Sequence, residues 1–283
     1  EIPHDVWNYD LAAPPILTMI KRENKNIDVV VAISKTGNVI MLDRDSGKPF
    51  FDIIYERAPV SNVPGERTSP YQVNIKLPEK ICRGRFKEEY LTEFDDEFVK
   101  EFKDEIDNYN YGYPSPPLLG KKTISIGACV RWAGGSVDSV KNILYVTSDN
   151  YPDLITLVED KEKKFNYYHE WDYFVDNENY PAIKPPWGAI TAMNLNTGKI
   201  IWQKSFGVIE ELEKRKIFNT GSKNRAGLTA TSGNLIFASG TEDNMFRVYN
   251  SLSGEELWSY KMDSAGSAPP TIYEIDSKQY IFI

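Results

Sequence analysis

Apolar and polar positions along this chain alternate in short blocks, with few long helical periods. Residues 27–33 read Ile-Asp-Val-Val-Val-Ala-Ile, a near-continuous β-branched run that predicts a buried strand. Residues 38–42 predict a second strand. Asp43-Arg44-Asp45-Ser46-Gly47-Lys48 then reads as a turn in which Gly47 is free to take positive φ. The unit returns at 189–202, where Asn196-Thr197-Gly198-Lys199 separates two strands, and at 245–258, around Ser251-Leu252-Ser253-Gly254. Trp202 and Trp258 each lie four residues after the turn glycine, and Phe51 holds that offset from Gly47. Residues 143–147 and 235–239 predict strands that open such units. A recurring strand–turn–strand with an aromatic at a fixed offset is the signature of a propeller blade whose aromatic packs into its neighbour. Unrelated hairpins are the alternative, and two tryptophans in register favour the all-β propeller. Residues 1–283 are expected to form part of such a ring, with an open edge.

Two segments break the pattern. In 87–107, Leu91, Phe94, Phe98, Phe102 and Ile106 recur every three or four residues among acidic side chains. That spacing predicts an inserted amphipathic helix with a solvated charged face. The stretch 149–186 is long, polar and aromatic, with Tyr167, Tyr168, Trp171, Tyr173 and Phe174. It reads as a long loop insertion carrying a satellite aromatic cluster, the alternative being a flap over the mouth of the ring.

Composition narrows the class. Aromatic residues make up 13% of the chain, which suits a sheet-rich fold, and the net charge of −8 argues against a nucleic-acid surface. No apolar run is long enough to span a bilayer. The chain starts at Glu1 without a methionine and stops inside an apolar run, Tyr280-Ile281-Phe282-Ile283, so it is expected to be a fragment. Cys82 and Cys129 lack metal-site spacing. They can pair in an oxidising compartment, and the sequence leaves that open.

Candidate chemistry concentrates in His4-Asp5-Val6-Trp7-Asn8-Tyr9-Asp10. Asp5 and Asp10 are hard-cation ligands by type, Asn8 adds a carbonyl oxygen, and His4 is a candidate base. Residue types alone favour a plainer reading, in which Trp7 and Tyr9 pack a strand and the acids cap a turn. Lys35, before Thr36-Gly37, likewise reads first as a solvated turn residue. No phosphate-binding glycine loop, zincin motif or nucleophile elbow occurs.

Taken together the motifs resemble the quinoprotein dehydrogenases that use pyrroloquinoline quinone (PQQ), especially their membrane-bound glucose dehydrogenase branch. The matching pieces begin with His4-Asp5-Val6-Trp7, Asp10-Leu11-Ala12-Ala13-Pro14-Pro15 and Lys35-Thr36-Gly37-Asn38. They continue through Trp132-Ala133-Gly134-Gly135, Pro185-Pro186-Trp187-Gly188 and Gly240-Thr241-Glu242-Asp243-Asn244 to Pro270-Thr271-Ile272-Tyr273-Glu274. The series runs in order from end to end.

The resemblance implies an eight-bladed propeller with PQQ on its axis beside Ca²⁺ or Mg²⁺, a lanthanide in a related branch. An aspartate would act as general base on a sugar or polyol hydroxyl while hydride passes to the quinone C5. It also implies electron delivery to ubiquinone, a periplasmic location, and membrane attachment only through segments outside this chain. Lys35 falls on the lysine that hydrogen-bonds the quinone oxygens. The family pattern His-Asp-x-Trp-Asp puts the base, close to the metal, at the position of Asn8, and an amide cannot take up a proton at neutral pH. Asp10, also present in this branch, is a second candidate metal ligand. Thr147 stands where the family has an asparagine that contacts the quinone. An alternative function is a non-catalytic propeller of the same ancestry that serves as a binding or assembly scaffold, and Asn8 is the feature that favours it.

Overall fold

The structure is a computed structural model that describes residues 2–22, 24–162 and 164–283. Its ring portion opens with β1 (Ile16–Arg22), β2 (Lys25–Ile33) and β3 (Val39–Asp43), an antiparallel blade. The hairpin β4 (Ile53–Arg57) and β5 (Tyr71–Ile75) follows, then α1 (Asp96–Asp104) and the strands β6 (Tyr109–Tyr111) and β7 (Lys122–Ser125). The second blade starts with β8 (Gly135–Asp138) and β9 (Ile143–Asp149). After the hairpin β10 (Asp153–Glu159) and β11 (Tyr167–Tyr173), it is completed by β12 (Gly188–Asn194) and β13 (Lys199–Ser205), in the order β8-β9-β12-β13. A short helix α2 (Glu210–Lys214) leads to the third blade, β14 (Asn224–Ala230), β15 (Leu235–Thr241), β16 (Met245–Asn250) and β17 (Glu256–Lys261). The hairpin β18 (Thr271–Ile275) and β19 (Lys278–Phe282) comes last.

The strands β1, β8 and β14 touch in turn, so they are the inner strands and the three blades form an arc of a propeller. The aromatic at the fixed offset locks each blade to the next. A β-carbon built on Gly198 would lie 3.2 Å from Phe51 Cζ, and one on Gly254 2.7 Å from Trp202 Cε3. Each ring therefore lies directly on the turn glycine of the following blade. Trp202 Nε1 also donates to Ser251 O at 3.1 Å. Trp258, third in the series, is 52% exposed. Between the first two blades, Val29, Val31, Ile33, Leu144 and Val146 share one core with Cys129. Between the second and third, Tyr145, Ile190, Leu228 and Ile236 share another. Burial of these apolar faces is the main force holding neighbouring blades together.

Two sequence expectations need correction. The helix expected over 87–107 is α1 alone, flanked by single 3₁₀ turns. It begins late because Thr92 N–H donates to Ala182 O and Leu91 bridges to Ile183, which holds that stretch extended. Asp95 then caps the helix through Phe98 N–H at 2.8 Å. The stretch 149–186 is not a loop. It carries β10 and β11, which pair with β7 and β6 in a separate sheet ordered β11-β10-β7-β6. Leu154, Phe174 and Ile183 pack behind that sheet against Phe86, Leu91 and Phe102 of the α1 region.

Candidate functional site

Residues 7–10 alternate between buried and exposed, with Asn8 at a left-handed φ of +66°. Trp7 and Tyr9 turn inward and pack with Tyr113. Trp7 Nε1 donates to Ser115 O at 2.8 Å, and the Tyr9 hydroxyl bonds Ser125 Oγ on β7. Burial raises the Tyr9 phenol well above its ordinary range, so it stays neutral. Asp5 fixes the bend that precedes them, accepting from Trp7 N–H at 2.9 Å and Tyr9 N–H at 2.6 Å. His4 is spent on Glu66, 2.7 Å away.

Asn8 and Asp10 face the other way and meet Lys35. The lysine Nζ lies 2.5 Å from Asp10 Oδ1 and 3.2 Å from Asn8 Oδ1. Its side chain is only 13% exposed, although Asp10 is 54% exposed. The turn that carries Lys35 is fixed from beneath. Lys35 O accepts from Cys129 N–H at 3.0 Å and Gly37 O from Ile81 N–H at 3.1 Å. A disulfide joins Cys82 to Cys129, the pairing that sequence alone left open. Gly37 has φ +81°, and a β-carbon there would sit 2.5 Å from Cys82 Sγ. Only glycine fits this approach. Three of the residues singled out from sequence are thus brought together on a rigid base. Thr147 is not part of that group. It is buried on β9, and strand alternation puts it on the face of Tyr145, opposite Val146, which packs beside Cys129.

A second polar group at this end of the ring was not singled out from sequence. Arg131 Nε lies 3.1 Å from Asp149 Oδ2, while Asn224 N–H and Nδ2 donate to Asp149 Oδ1 at 3.0 and 2.6 Å. Burial pushes the Asp149 carboxyl up to about 7 against the pull of Arg131 and those donors. Lys223, buried ahead of β14, bonds the Tyr173 hydroxyl and lies over the rings of Tyr173 and Tyr151, 4.1 and 5.3 Å from their centroids. The sequence signal was modest: a run of apolar strand residues ending in Asp149-Asn150, and Lys223-Asn224 at a strand onset.

The family model for the β-propeller domain of PQQ-dependent glucose/ethanol/alcohol dehydrogenases matches residues 1–281. The chain belongs to this quinoprotein dehydrogenase family. It is 26% identical to the quinoprotein glucose dehydrogenase of Escherichia coli K12, an alignment that takes in 100% of this chain and 39% of that protein. The quinate/shikimate dehydrogenase (quinone) of Acinetobacter baylyi is 25% identical, again over 100% of this chain and 39% of the relative. Among solved structures, the quinohemoprotein alcohol dehydrogenase of Comamonas testosteroni superposes with a TM-score of 0.58 at 20% identity, covering 99% of this chain and 35% of that one. A europium-containing methanol dehydrogenase gives 0.60 at 17%, covering 99% and 40%. These structural likenesses establish the propeller fold. The quinoprotein chain in hand spans about two fifths of its curated relatives.

The family cofactor finds suitable chemistry here. PQQ is a flat anionic quinone, and this end of the quinoprotein ring presents the cation of Lys35. Beside Arg131, Trp132 lies 77% exposed, an uncovered indole face of the kind on which planar rings stack. The metal is another matter. Asn8 and Asp10 offer two oxygens, and both already face the Lys35 ammonium. Among the described residues no three His, Cys, Asp or Glu side chains converge as a metal site. These residues alone do not fit a divalent ion.

Proposed function

We propose that the protein oxidises a hydroxyl of a sugar or polyol with bound PQQ and passes the electrons to a quinone, ubiquinone being the acceptor implied. The observation that carries this reading is the convergence of Lys35, Asp10 and Asn8 on a turn fixed by backbone hydrogen bonds and a disulfide. PQQ supplies the two-electron chemistry. The chain supplies placement and charge. Lys35 would hold the ortho-quinone oxygens, where a fixed cation stabilises the charge that develops on reduction. Asp10 and Asn8 orient that ammonium through their side-chain oxygens. A Ca²⁺, Mg²⁺ or lanthanide is an addition to be tested in the assay. Thr147 is proposed only as a residue near the cofactor end of β9. The sheet β11-β10-β7-β6 adjoins residues 7–10 on the side of Tyr9, whose hydroxyl bonds Ser125, and it would screen the site from water. Residues 1–283 are proposed as one propeller unit, with α1 and this sheet as its insertions. A periplasmic location fits the disulfide. Among the described residues no helix is long and apolar enough to cross a membrane.

The test is reconstitution of the full-length protein with PQQ, with and without Ca²⁺, followed by dye reduction with glucose, quinate and glycerol. Turnover of one of them, lost in Lys35→Ala, is the expected result. A protein that binds no PQQ refutes the reading and leaves the scaffold alternative, which the amide at Asn8 favours.

A further inference from the structure

Oxidation of a hydroxyl by PQQ requires a group that removes the hydroxyl proton. Asn8 cannot take it, and Asp10 has committed an oxygen to Lys35. On the condition that PQQ oxidation is the reaction, the geometry points to Asp153 as the proton acceptor.

Asp153 opens β10, in the middle of a row across the covering sheet. It stands directly opposite Ser125 on β7 and Tyr173 on β11, and residues directly opposite in a sheet share a face. Both flanking members of that row reach the ring. Ser125 bonds the Tyr9 hydroxyl, whose chain neighbours are Asn8 and Asp10. Tyr173 bonds Lys223, ahead of β14. The carboxylate between them therefore lies beside Lys223 and Arg131, and Arg131 follows by two residues the Cys129 whose N–H donates to Lys35 O. It is partly open to solvent, so a substrate can reach it, whereas Asp149 is 2% exposed with both oxygens taken.

The groups around Asp153 are the cations Lys223 and Arg131, the Trp171 indole and the neutral Tyr9 phenol, with Asp149 bound on Arg131. Burial pushes the carboxyl up to about 7, the two cations acting against it. That value suits proton uptake near neutrality. In the step proposed, the substrate O–H proton goes to an Asp153 oxygen and the C–H pair leaves as hydride to PQQ. The carbinol carbon becomes a carbonyl and PQQ gains the two electrons.

The test uses the full-length protein reconstituted with PQQ and Ca²⁺ and assayed with glucose, quinate and glycerol. Asp153→Asn is expected to lower kcat by about 100-fold or more while the Kd for PQQ stays close to wild type. Asn8→Asp placed in that variant is expected to restore turnover, because it returns a carboxylate to the other side of the site. In wild type, kcat/KM should rise with pH through about 7, and this limb should vanish in Asp153→Asn. Infrared titration of the apo protein supplies a readout without turnover: carboxyl absorption lost near that pH should diminish in the variant. If PQQ binds and Asp153→Asn turns over as wild type does, the assignment falls and the PQQ reading stands. If the variant loses PQQ affinity, or loses turnover that Asn8→Asp does not repair, Asp153 is a packing residue and the assignment also falls. A wild type that binds no PQQ removes the reading on which it rests.

Discussion

Trp202 and Trp258 hold the same place in their blades, yet their removal should have unequal effects. Trp202 lies on Gly254 of the next blade, with Tyr145 behind it at 6.2 Å between ring centroids. An enclosed indole removes roughly 150–250 Å² from water, so half of that, at about 25 cal/mol per Å², stabilises by about 2–3 kcal/mol. The Nε1 hydrogen bond to Ser251 O adds about 1 kcal/mol, because its loss strands a carbonyl between blades. Trp202→Ala should therefore cost about 3–4 kcal/mol, and Trp202→Phe, which keeps most of the contact, about 1–2 kcal/mol. In the polypeptide of residues 1–283, Trp258 is 52% exposed and meets Tyr260 and Phe246 of its own blade, so Trp258→Ala there should cost about 1 kcal/mol. Gly254→Ala should act like Trp202→Ala, since that glycine has φ +69° and its β-carbon would enter the indole. Urea unfolding, monitored by far-ultraviolet circular dichroism with the slope checked for constancy, measures all four. Equal losses for the two tryptophan-to-alanine variants in the polypeptide of residues 1–283 would refute the interblade lock.

Other expectations follow from the same geometry. Gly37→Ala drives a β-carbon to 2.5 Å from Cys82 Sγ at a left-handed φ, so it should cost about 2 kcal/mol or more in urea unfolding and weaken PQQ binding by tilting the Lys35 turn. The Cys82–Cys129 bond closes a loop of sequence separation 47, for which chain entropy gives about 4 kcal/mol as an upper figure. The Cys82→Ser/Cys129→Ser double variant should unfold at markedly lower urea, and unchanged stability would refute the staple. Asp153 also links stability to pH. Its folded pKa of about 7 lies above the ordinary 3.8, so it holds its proton better folded than unfolded. Its contribution is complete below the unfolded value and is lost as pH rises through about 7. Relative to Asp153→Asn, wild type should lose about 1–2 kcal/mol between pH 4 and 8, less than the full shift because the carboxyl is partly solvated.

How much of this was legible in the sequence depended on how far apart the partners lie. The blades were legible because strand, turn and aromatic recur within a few residues, and the glycine that receives each ring is itself part of the repeat. The helix was misjudged at its start because Leu91 and Thr92 are held extended by Ile183 and Ala182, contacts that no local period carries. Tertiary pairing overrode a helical spacing. The covering sheet was hidden for a related reason. Asp153 to Glu159 carries Ile155, Thr156 and Val158, but of its two partner strands β7 lies before β8 and β9 of the second blade.

The candidate site divides along the same line. Asn8, Asp10 and Lys35 were found through the resemblance of their two short stretches to the family pattern, since residue types alone favoured a packed strand and a solvated turn. Arg131, the Asp149–Asp153 stretch and Lys223 come from three separate segments, and tertiary packing brings them to one end of the ring. Set against the family pattern that residues 4–10 resemble, the amide at Asn8 looks like a broken site. Beneath a sheet that presents a carboxylate from its middle strand, it leaves room for the proton to go to Asp153. Asn8 and Asp153 are therefore coupled positions, and their double-mutant cycle should be strongly non-additive. Independent, additive losses would mean that the two residues do not share a proton path, whatever the individual variants do.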